Sequence, residues 1–207
     1  MPPTVNARIP LSLLEAIRRI DTPEDQVEAE YVPELRNKRL GLSDTVYTQI
    51  RRYTDAMKRG QQVPFAEAEG LGTLIGRRPD AEELFRNAGV ILARDIYQSL
   101  SPTRRGTIRV GPAFISRRMA LKQLRVVVEK KFGGTLERSG SFITLKIPNS
   151  ATVNGTPKSG GCVFYEYALR ELIRLLINGG GQIDHVHCVQ RGDGICEWRA
   201  EWRSHNE

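Results

Sequence analysis

The sequence predicts an α/β domain of the α+β type, in which an antiparallel sheet built from two hairpins is covered by long helices, with an N-terminal helical arm. Two observations support this fold class. Apolar residues recur at helical spacing in several long stretches of the 207-residue chain. Two β-rich runs, 135–147 and 183–202, are each interrupted by a glycine-containing turn that is typical of a hairpin.

Residues 1–70 form the predicted arm, which is basic. A short amphipathic helix over residues 11–20 places Leu13, Leu14 and Ile17 on one face, and an acidic, proline-bounded piece follows it. Because such apolar stripes need a cover, we expect the arm to pack on the rest of the chain or on a second subunit. The sequence leaves both arrangements open.

The second half of the arm resembles part of a DNA-binding motif. Residues 40–53 match the second half of a helix-turn-helix, with Ser43 or Asp44 as the helix cap and Arg51 and Arg52 on the groove-facing side. Capped amphipathic helices with arginines are nevertheless common, and a proline interrupts the partner helix. We therefore expect no binding of nucleic acid.

The middle of the chain begins with a glycine-rich stretch, 66–76, which we interpret as a linker because it lacks the lysine of a phosphate-binding loop. Asp80 then caps a helix whose apolar stripe reaches Ile96. The elements predicted after it are a turn at 101–106, a short strand at 107–110, a helix from Pro112 to about Lys131, a hairpin at 135–147, an exposed polar loop at 149–160, a helix at 162–177 and a hairpin at 183–202.

Metal-ligating residues are concentrated at the end of the chain, where all three cysteines and all three histidines lie after residue 160. Thiolate and imidazole are the ligands that zinc prefers, and four of them form a closed structural site. The hairpin turn brings Cys188 close to Cys196, and Cys162 reaches the same point from the start of a helix. His185 would face away from Cys188 on a regular strand unless a bulge intervenes, so His187 competes as the fourth ligand.

The alternative is that the three cysteines are reduced core residues without a metal. The odd number of cysteines argues against a complete disulfide pairing.

This arrangement resembles the 4-vinyl reductase domain family. The similarity lies in the cysteine spacing and in Gly192-Asp193 before the last cysteine, and it covers roughly residues 81–203. The family includes hydrocarbon-binding sensor domains of phenol- and xylene-responsive transcription activators, and it is related to the TRAPP tethering subunits. Its aromatic-sensing members bind zinc through three cysteines and a glutamate three residues before the second one. The resemblance therefore implies a structural zinc on Cys162, Cys188 and Cys196, with His185 in the glutamate's position.

The resemblance also implies a function for residues 71–207, namely the binding of a small hydrophobic or aromatic molecule, with signalling through a partner or a homodimer. Candidate pocket residues are Phe114, Phe142, Phe164 and Tyr167, each of which is equally credible as core. A phenol-specific site is not expected, since no histidine precedes His185 and no tryptophan precedes Trp198. A second function class is a dimerising scaffold, as in the tethering relatives.

Other function classes receive less support. The family name comes from a proposed tetrapyrrole vinyl reduction, but the sequence contains no nucleotide fingerprint or catalytic triad, and a fully ligated zinc has no position for a substrate. The net charge of +7 serves anionic partners or solubility. The N-terminus lacks a signal-peptide pattern and no apolar run is long enough to span a bilayer, so we expect a cytoplasmic protein.

Overall fold

The computed structural model describes residues 3–23, 39–110, 113–153, 157–177, 179 and 182–202. The described helices are α1 (Arg8–Asp21), α2 (Asp44–Lys58), α3 (Phe65–Gly76), α4 (Ala81–Gln98), α5 (Pro102–Val110), α6 (Ala113–Val127) and α7 (Val163–Ile177). The described strands are β1 (Thr4–Asn6), β2 (Gln62–Pro64), β3 (Thr135–Ser139), β4 (Phe142–Ile147), β5 (Ile183–His187) and β6 (Cys196–Glu201). A π-helical turn (Val128–Phe132) continues α6, and 3-10 turns lie at Leu40–Leu42, Pro157–Cys162 and Val189–Arg191.

The main sheet has the order β3-β4-β6-β5, and every neighbouring pair is antiparallel. It therefore consists of two hairpins joined through β4 and β6, while β1 and β2 form a small separate ribbon. One face is apolar: Ile143, Leu145 and Ile147 alternate with more exposed residues, and Trp198 lies opposite Leu145. Tyr165 of α7 contacts Trp198 at a ring-centroid distance of 5.8 Å, so α7 covers this face. The predicted α+β fold is confirmed.

The two long helices α4 and α7 pack against each other at a glycine. A Cβ atom placed on Gly89 of α4 would collide with the carbonyl oxygen of Phe164 and would lie 3.0 Å from the backbone nitrogen of Ala168. The absence of a side chain at Gly89 therefore sets how closely the two helix backbones approach. This close packing fixes the start of α7, which carries part of the candidate site.

The amphipathic helix of the arm packs on the remainder of the same chain. Leu13, Leu14 and Ile17 are fully or almost fully buried on α1, and they belong to one continuous apolar core with Leu84 and Phe85 of α4. Burial of each such side chain contributes roughly 1.5–3 kcal/mol. The stripe on α1 is thus covered within one chain.

A carboxylate at the end of α1 connects three segments. Asp21 is buried, accepts two hydrogen bonds of 2.8 and 2.9 Å from the Arg78 guanidinium, and accepts another of 2.8 Å from the backbone N–H of Gly41. Arg78 also pairs with Asp80 just before α4. Asp80 thus contacts Arg78 with its side chain, and it makes no side-chain capping bond to α4, contrary to the sequence prediction.

Helix α2 begins where the sequence predicts. The Ser43 hydroxyl accepts a hydrogen bond from the Val46 N–H, and Val46 and Ile50 are buried. Arg52, which a helix-turn-helix would place on its groove-facing side, lies 2.9 Å from the Glu67 carboxylate of α3. The preceding helix of a helix-turn-helix would fall on residues 24–38, which lie outside the described residues.

The predicted linker at 66–76 is wrong, because this stretch forms α3. Alanine, glutamate and leucine outweigh the glycines in helix propensity here. Gly72 serves packing: its missing Cβ would lie 2.7 Å from the carbonyl oxygen of Ala151 and 3.2 Å from the Cα of Thr152. The glycine that suggested a joint therefore permits close contact between a helix and the segment after β4.

The predicted turn at 101–106 and strand at 107–110 are also wrong, since both belong to α5. Ser101 acts as the helix cap, because its hydroxyl accepts a hydrogen bond of 3.3 Å from the Arg104 N–H. Pro102 then occupies the first helical position, where its missing N–H costs nothing. The apolar alternation of Thr107–Val110 is too short to override this start signal.

The polar loop predicted at 149–160 begins with the exposed Asn149 but then enters the core. Ser150, Ala151, Thr152 and Val153 are all buried, and residues 154–156 lie outside the described residues. The Thr152 hydroxyl donates a hydrogen bond of 2.7 Å to the Gly161 carbonyl. Local hydrogen bonding of this kind lets a polar segment enter the core.

Candidate metal centre

Four side chains from three parts of the chain meet at one point. The atoms able to bind a metal on Cys162, His185, Cys188 and Cys196 all lie within 4.8 Å of one another. The Cys162 sulfur is 3.6 Å from the Cys188 sulfur and 3.9 Å from the Cys196 sulfur. These sulfurs are too far apart for a disulfide, which needs about 2.05 Å, and all three cysteines are free and buried. The cluster could hold a metal ion.

The register of the β5–β6 hairpin explains how His185 and Cys188 both face the cluster. His185 pairs with Trp198, whereas His187 pairs with Glu197, so Val186 is an extra residue at a β-bulge. On β6, Cys196 and Trp198 face the core and Glu197 faces outward. The bulge therefore places Cys188 on the core side together with His185. A bulge at this point was the condition under which the sequence analysis allowed His185 to be a ligand.

The structure distinguishes the two candidate histidines. The Nε2 atom of His185 is buried and has no hydrogen-bond partner among the described residues. His187 is half exposed, and its Nδ1 lies 3.5 Å from an Asp193 carboxylate oxygen outside the cluster. Buried imidazole nitrogens normally have a partner, and one without a hydrogen bond beside three thiols is well placed to bind a metal ion. The geometry thus favours His185.

Two residues that the sequence interpretation did not assign to the site hold its loop in place. Asp193 accepts a hydrogen bond of 2.7 Å from the Cys188 N–H, and its own N–H donates to the Cys188 carbonyl at 3.2 Å. The Arg191 guanidinium donates to the carbonyls of His185 and Val186 at 3.1 and 2.9 Å, so it stabilises the bulge. Gly192, with φ of 93°, makes the turn between them possible. In the sequence, only the Gly192-Asp193 pair indicated this loop.

The pKa values of Cys162 and Cys196 are shifted in opposite directions. The pKa of Cys196 is lowered well below its ordinary value, chiefly because the Cys162 thiol donates a hydrogen bond to it. Burial opposes this effect, and the His185 side chain and the Val189 N–H add to it. The His185 Nε2 atom itself has no hydrogen-bond partner among the described residues. The pKa of Cys162 is raised by the same contact and by burial. A cation among these sulfurs would allow all three to be thiolates.

An aromatic wall encloses the inner side of the cluster. The His185 ring stacks on the fully buried Trp198 at a centroid distance of 4.9 Å and an interplanar angle of 9°. Behind Trp198 lie Tyr165 and Phe164, whose rings meet edge to face at 5.0 Å. Burial raises the pKa of the Tyr165 hydroxyl, which stays neutral. These rings shield the site from the core side.

The four predicted pocket residues do not come together. Phe164 is fully buried in the core beside Tyr165, whereas Phe142 lies on the outer face of the sheet under the Arg199 guanidinium, 4.1 Å from its ring centroid. Tyr167 is partly exposed and contacts two arginines of α4 and α7. The side chain of Phe114 lies outside the described residues.

Comparisons with protein-family models, with curated proteins and with solved structures found no match to this chain. The resemblance to the 4-vinyl reductase domain family therefore stays a prediction.

Among the described residues, each helix is too short or too polar to cross a membrane.

Proposed function

We propose that this protein is a non-enzymatic binding module for a small hydrophobic molecule, with a structural zinc ion at its Cys3His cluster. The observation that carries the zinc part of the proposal is the His185 Nε2 atom, which is buried beside three cysteine sulfurs and has no hydrogen-bond partner among the described residues. Closed sites with three or four thiolates and the remainder imidazole are typical of structural zinc.

The sulfur spacing supports zinc. A tetrahedral ion with zinc–sulfur distances of about 2.3 Å places its sulfurs about 3.8 Å apart. The two distances from Cys162 are 3.6 and 3.9 Å. Cys162, Cys188, Cys196 and His185 would hold the ion, which would neutralise the thiolates and join the start of α7 to the β5–β6 hairpin. Thiolate ligands also fit a reducing compartment such as the cytoplasm.

The buried position of the cluster argues against catalysis. All three cysteines are almost fully buried, and four protein ligands complete the coordination of zinc. No position remains for a substrate or an activated water. The ion would instead contribute to folding, because the unfolded chain offers no preformed cage.

The ligand-binding role rests on the resemblance to hydrocarbon-binding sensor domains.

Metal content tests the zinc proposal. We expect about one zinc per chain in protein purified without chelator, and we expect Cys188→Ser and His185→Ala to lose zinc and melt at lower temperature. His187→Ala is the matched control and should keep both its zinc and its melting temperature. Zinc below about 0.2 per chain, with three reactive thiols, would refute the site. Loss of zinc in His187→Ala but not in His185→Ala would refute the ligand assignment.

Native mass spectrometry tests the binding role. A copurifying hydrophobic molecule, released on denaturation and identified after solvent extraction, is the expected result.

The second candidate function is a dimerising scaffold. It is favoured by Val186 on the edge strand β5 and Val189 just after it, which are 42% and 39% exposed. An empty, tight homodimer that dissociates on Val186→Lys would support the scaffold instead.

A further inference from the structure

A wide groove lies along α6, away from the metal centre. It has a volume of about 1090 Å³ and is lined by nine described residues, eight from α6 and Arg138 from β3. Its size is at the upper end of small-molecule sites, which span roughly 300–1,000 Å³. The groove is open along one side, so a small ligand would occupy part of it and leave the rest to solvent.

The groove is strongly cationic. Five of its nine lining residues are basic and none is acidic: Arg117, Arg118, Lys122, Arg125 and Arg138. Residues 102–138 hold ten Lys and Arg against two Glu, a formal charge of +8, whereas the whole chain carries +7. The positive charge of the protein is therefore concentrated around α5, α6 and β3. Such concentration attracts an anion more effectively than the same charge spread over the surface.

The same groove contains apolar surface. Ile115, Met119, Leu121 and Val126 supply the rest of its lining, and Ile115 is 39% exposed. Ile115, Arg118 and Lys122 recur at intervals of three and four residues, so apolar and cationic side chains share one face of α6. A single exposed isoleucine would be unremarkable, but four apolar side chains that line one groove beside cations are typical of a ligand-binding groove.

The combination selects a class of ligand. A single strand of nucleic acid is usually held by base stacking on aromatic rings as well as by cations, and none of the nine described lining residues is aromatic. A bilayer surface is flat and is bound by protruding apolar side chains, whereas this site is concave. A long-chain carboxylate offers an apolar tail for Ile115 and Met119 and an anionic head for Lys122 and Arg125.

We propose that the α6 groove binds a single anionic amphiphile, such as a medium- or long-chain carboxylate. The inference rests on the proposed binding role and assigns that role a site and a ligand charge. It does not depend on zinc, because α6 contributes no ligand to the metal cluster.

Calorimetric titration of the full chain with decanoate, below the concentration at which it forms micelles, is the test. Decanoate should bind at least about ten-fold more tightly than decan-1-ol, which has the same chain without the charge. Lys122→Gln with Arg125→Gln should weaken decanoate binding about ten-fold. The control, Arg51→Gln with Lys58→Gln, removes the same charge from exposed positions on α2 and should bind decanoate normally.

Several results would overturn the inference. One is equal binding of decanoate and decan-1-ol, or equal weakening by both double variants. Another is no binding of decanoate. If native mass spectrometry then finds a copurifying neutral molecule, the binding role stands without this site. Sedimentation with phosphatidylcholine–phosphatidylglycerol vesicles, or binding of duplex DNA, that is lost in Lys122→Gln with Arg125→Gln would assign the groove to a membrane or to nucleic acid.

Discussion

His185 and Trp198 are cross-strand partners whose rings lie almost parallel, 4.9 Å apart between centroids. Trp198 lies on β6, between β4 and β5, and is fully buried, so its indole has little freedom to move. A residue that is not a candidate ligand thus orients the imidazole toward the three sulfurs. Preorientation of this kind lowers the entropy that a ligand loses when it binds a metal.

The stack should make Trp198 a reporter of the proposed zinc ion. The chain has two tryptophans, and Trp202 lies six residues beyond Cys196, about 20 Å along an extended strand. In Trp202→Phe protein, a strong chelator should change the fluorescence emission, since metal loss frees the stacked imidazole. In Trp198→Phe protein the remaining emission should barely respond. An unchanged spectrum in the first variant, despite measured zinc loss, would contradict this coupling.

Two helical glycines should respond to alanine in opposite ways, because Gly89 lies in the contact between α4 and α7 and Gly106 lies in open space. Gly89→Ala should destabilise the protein by at least about 2 kcal/mol, because its Cβ would collide with the backbone of α7. Gly106 lies in α5 with nothing within 4 Å of its missing Cβ, so Gly106→Ala should stabilise by about 0.5–1 kcal/mol. Urea unfolding measures both values. A neutral Gly89→Ala would show that the helices are farther apart in solution.

The buried carboxylate of Asp21 should contribute more than any exposed ion pair. Asp21→Ala leaves the Arg78 guanidinium and the Gly41 N–H without a shared partner, and we expect a loss of about 3 kcal/mol. Glu82→Ala removes an exposed pair with Arg86 on α4 and should cost about 0.5 kcal/mol or less. Equal losses in urea unfolding would mean that Asp21 is solvated.

Glu171 should make stability depend on pH in the acid range. Its pKa is lowered from the ordinary value of 4.5, first by the Arg174 hydrogen bond and then by Arg94 of α4, although burial opposes the shift. Because the folded pKa is the lower one, the contribution is present above about pH 4.5 and is lost as pH falls through the folded value. We expect about 1 kcal/mol or less, since both arginines are half exposed.

The difference in unfolding free energy between the natural protein and Glu171→Gln should therefore shrink as pH falls from 6 toward 3. Comparison of the two proteins removes the acid sensitivity of the cysteine cluster, which both share. A difference that stays constant with pH would mean that the carboxylate gains nothing from its arginines.

The sequence was sufficient for elements with local signals. The Ser43 cap and the alternation of Ile143, Leu145 and Ile147 identified α2 and β4 from neighbouring residues alone. Gly72 was misread because its role depends on Ala151, a contact between residues far apart in the chain. The bulge at Val186 was anticipated as a requirement of the ligands, but its support by Arg191 depends on a side chain that folds back across the loop.

The bulge also changes the sequence spacing at which two side chains reach one face of a strand. Without the extra residue Val186, a histidine and a cysteine two positions apart would lie on the same face of a regular strand. With it, His185 and Cys188 reach that face from three positions apart. The same placement of side chains can therefore arise from two spacings, His-x-Cys on a regular strand and His-x-x-Cys on a bulged one. A motif search restricted to either spacing would miss the other.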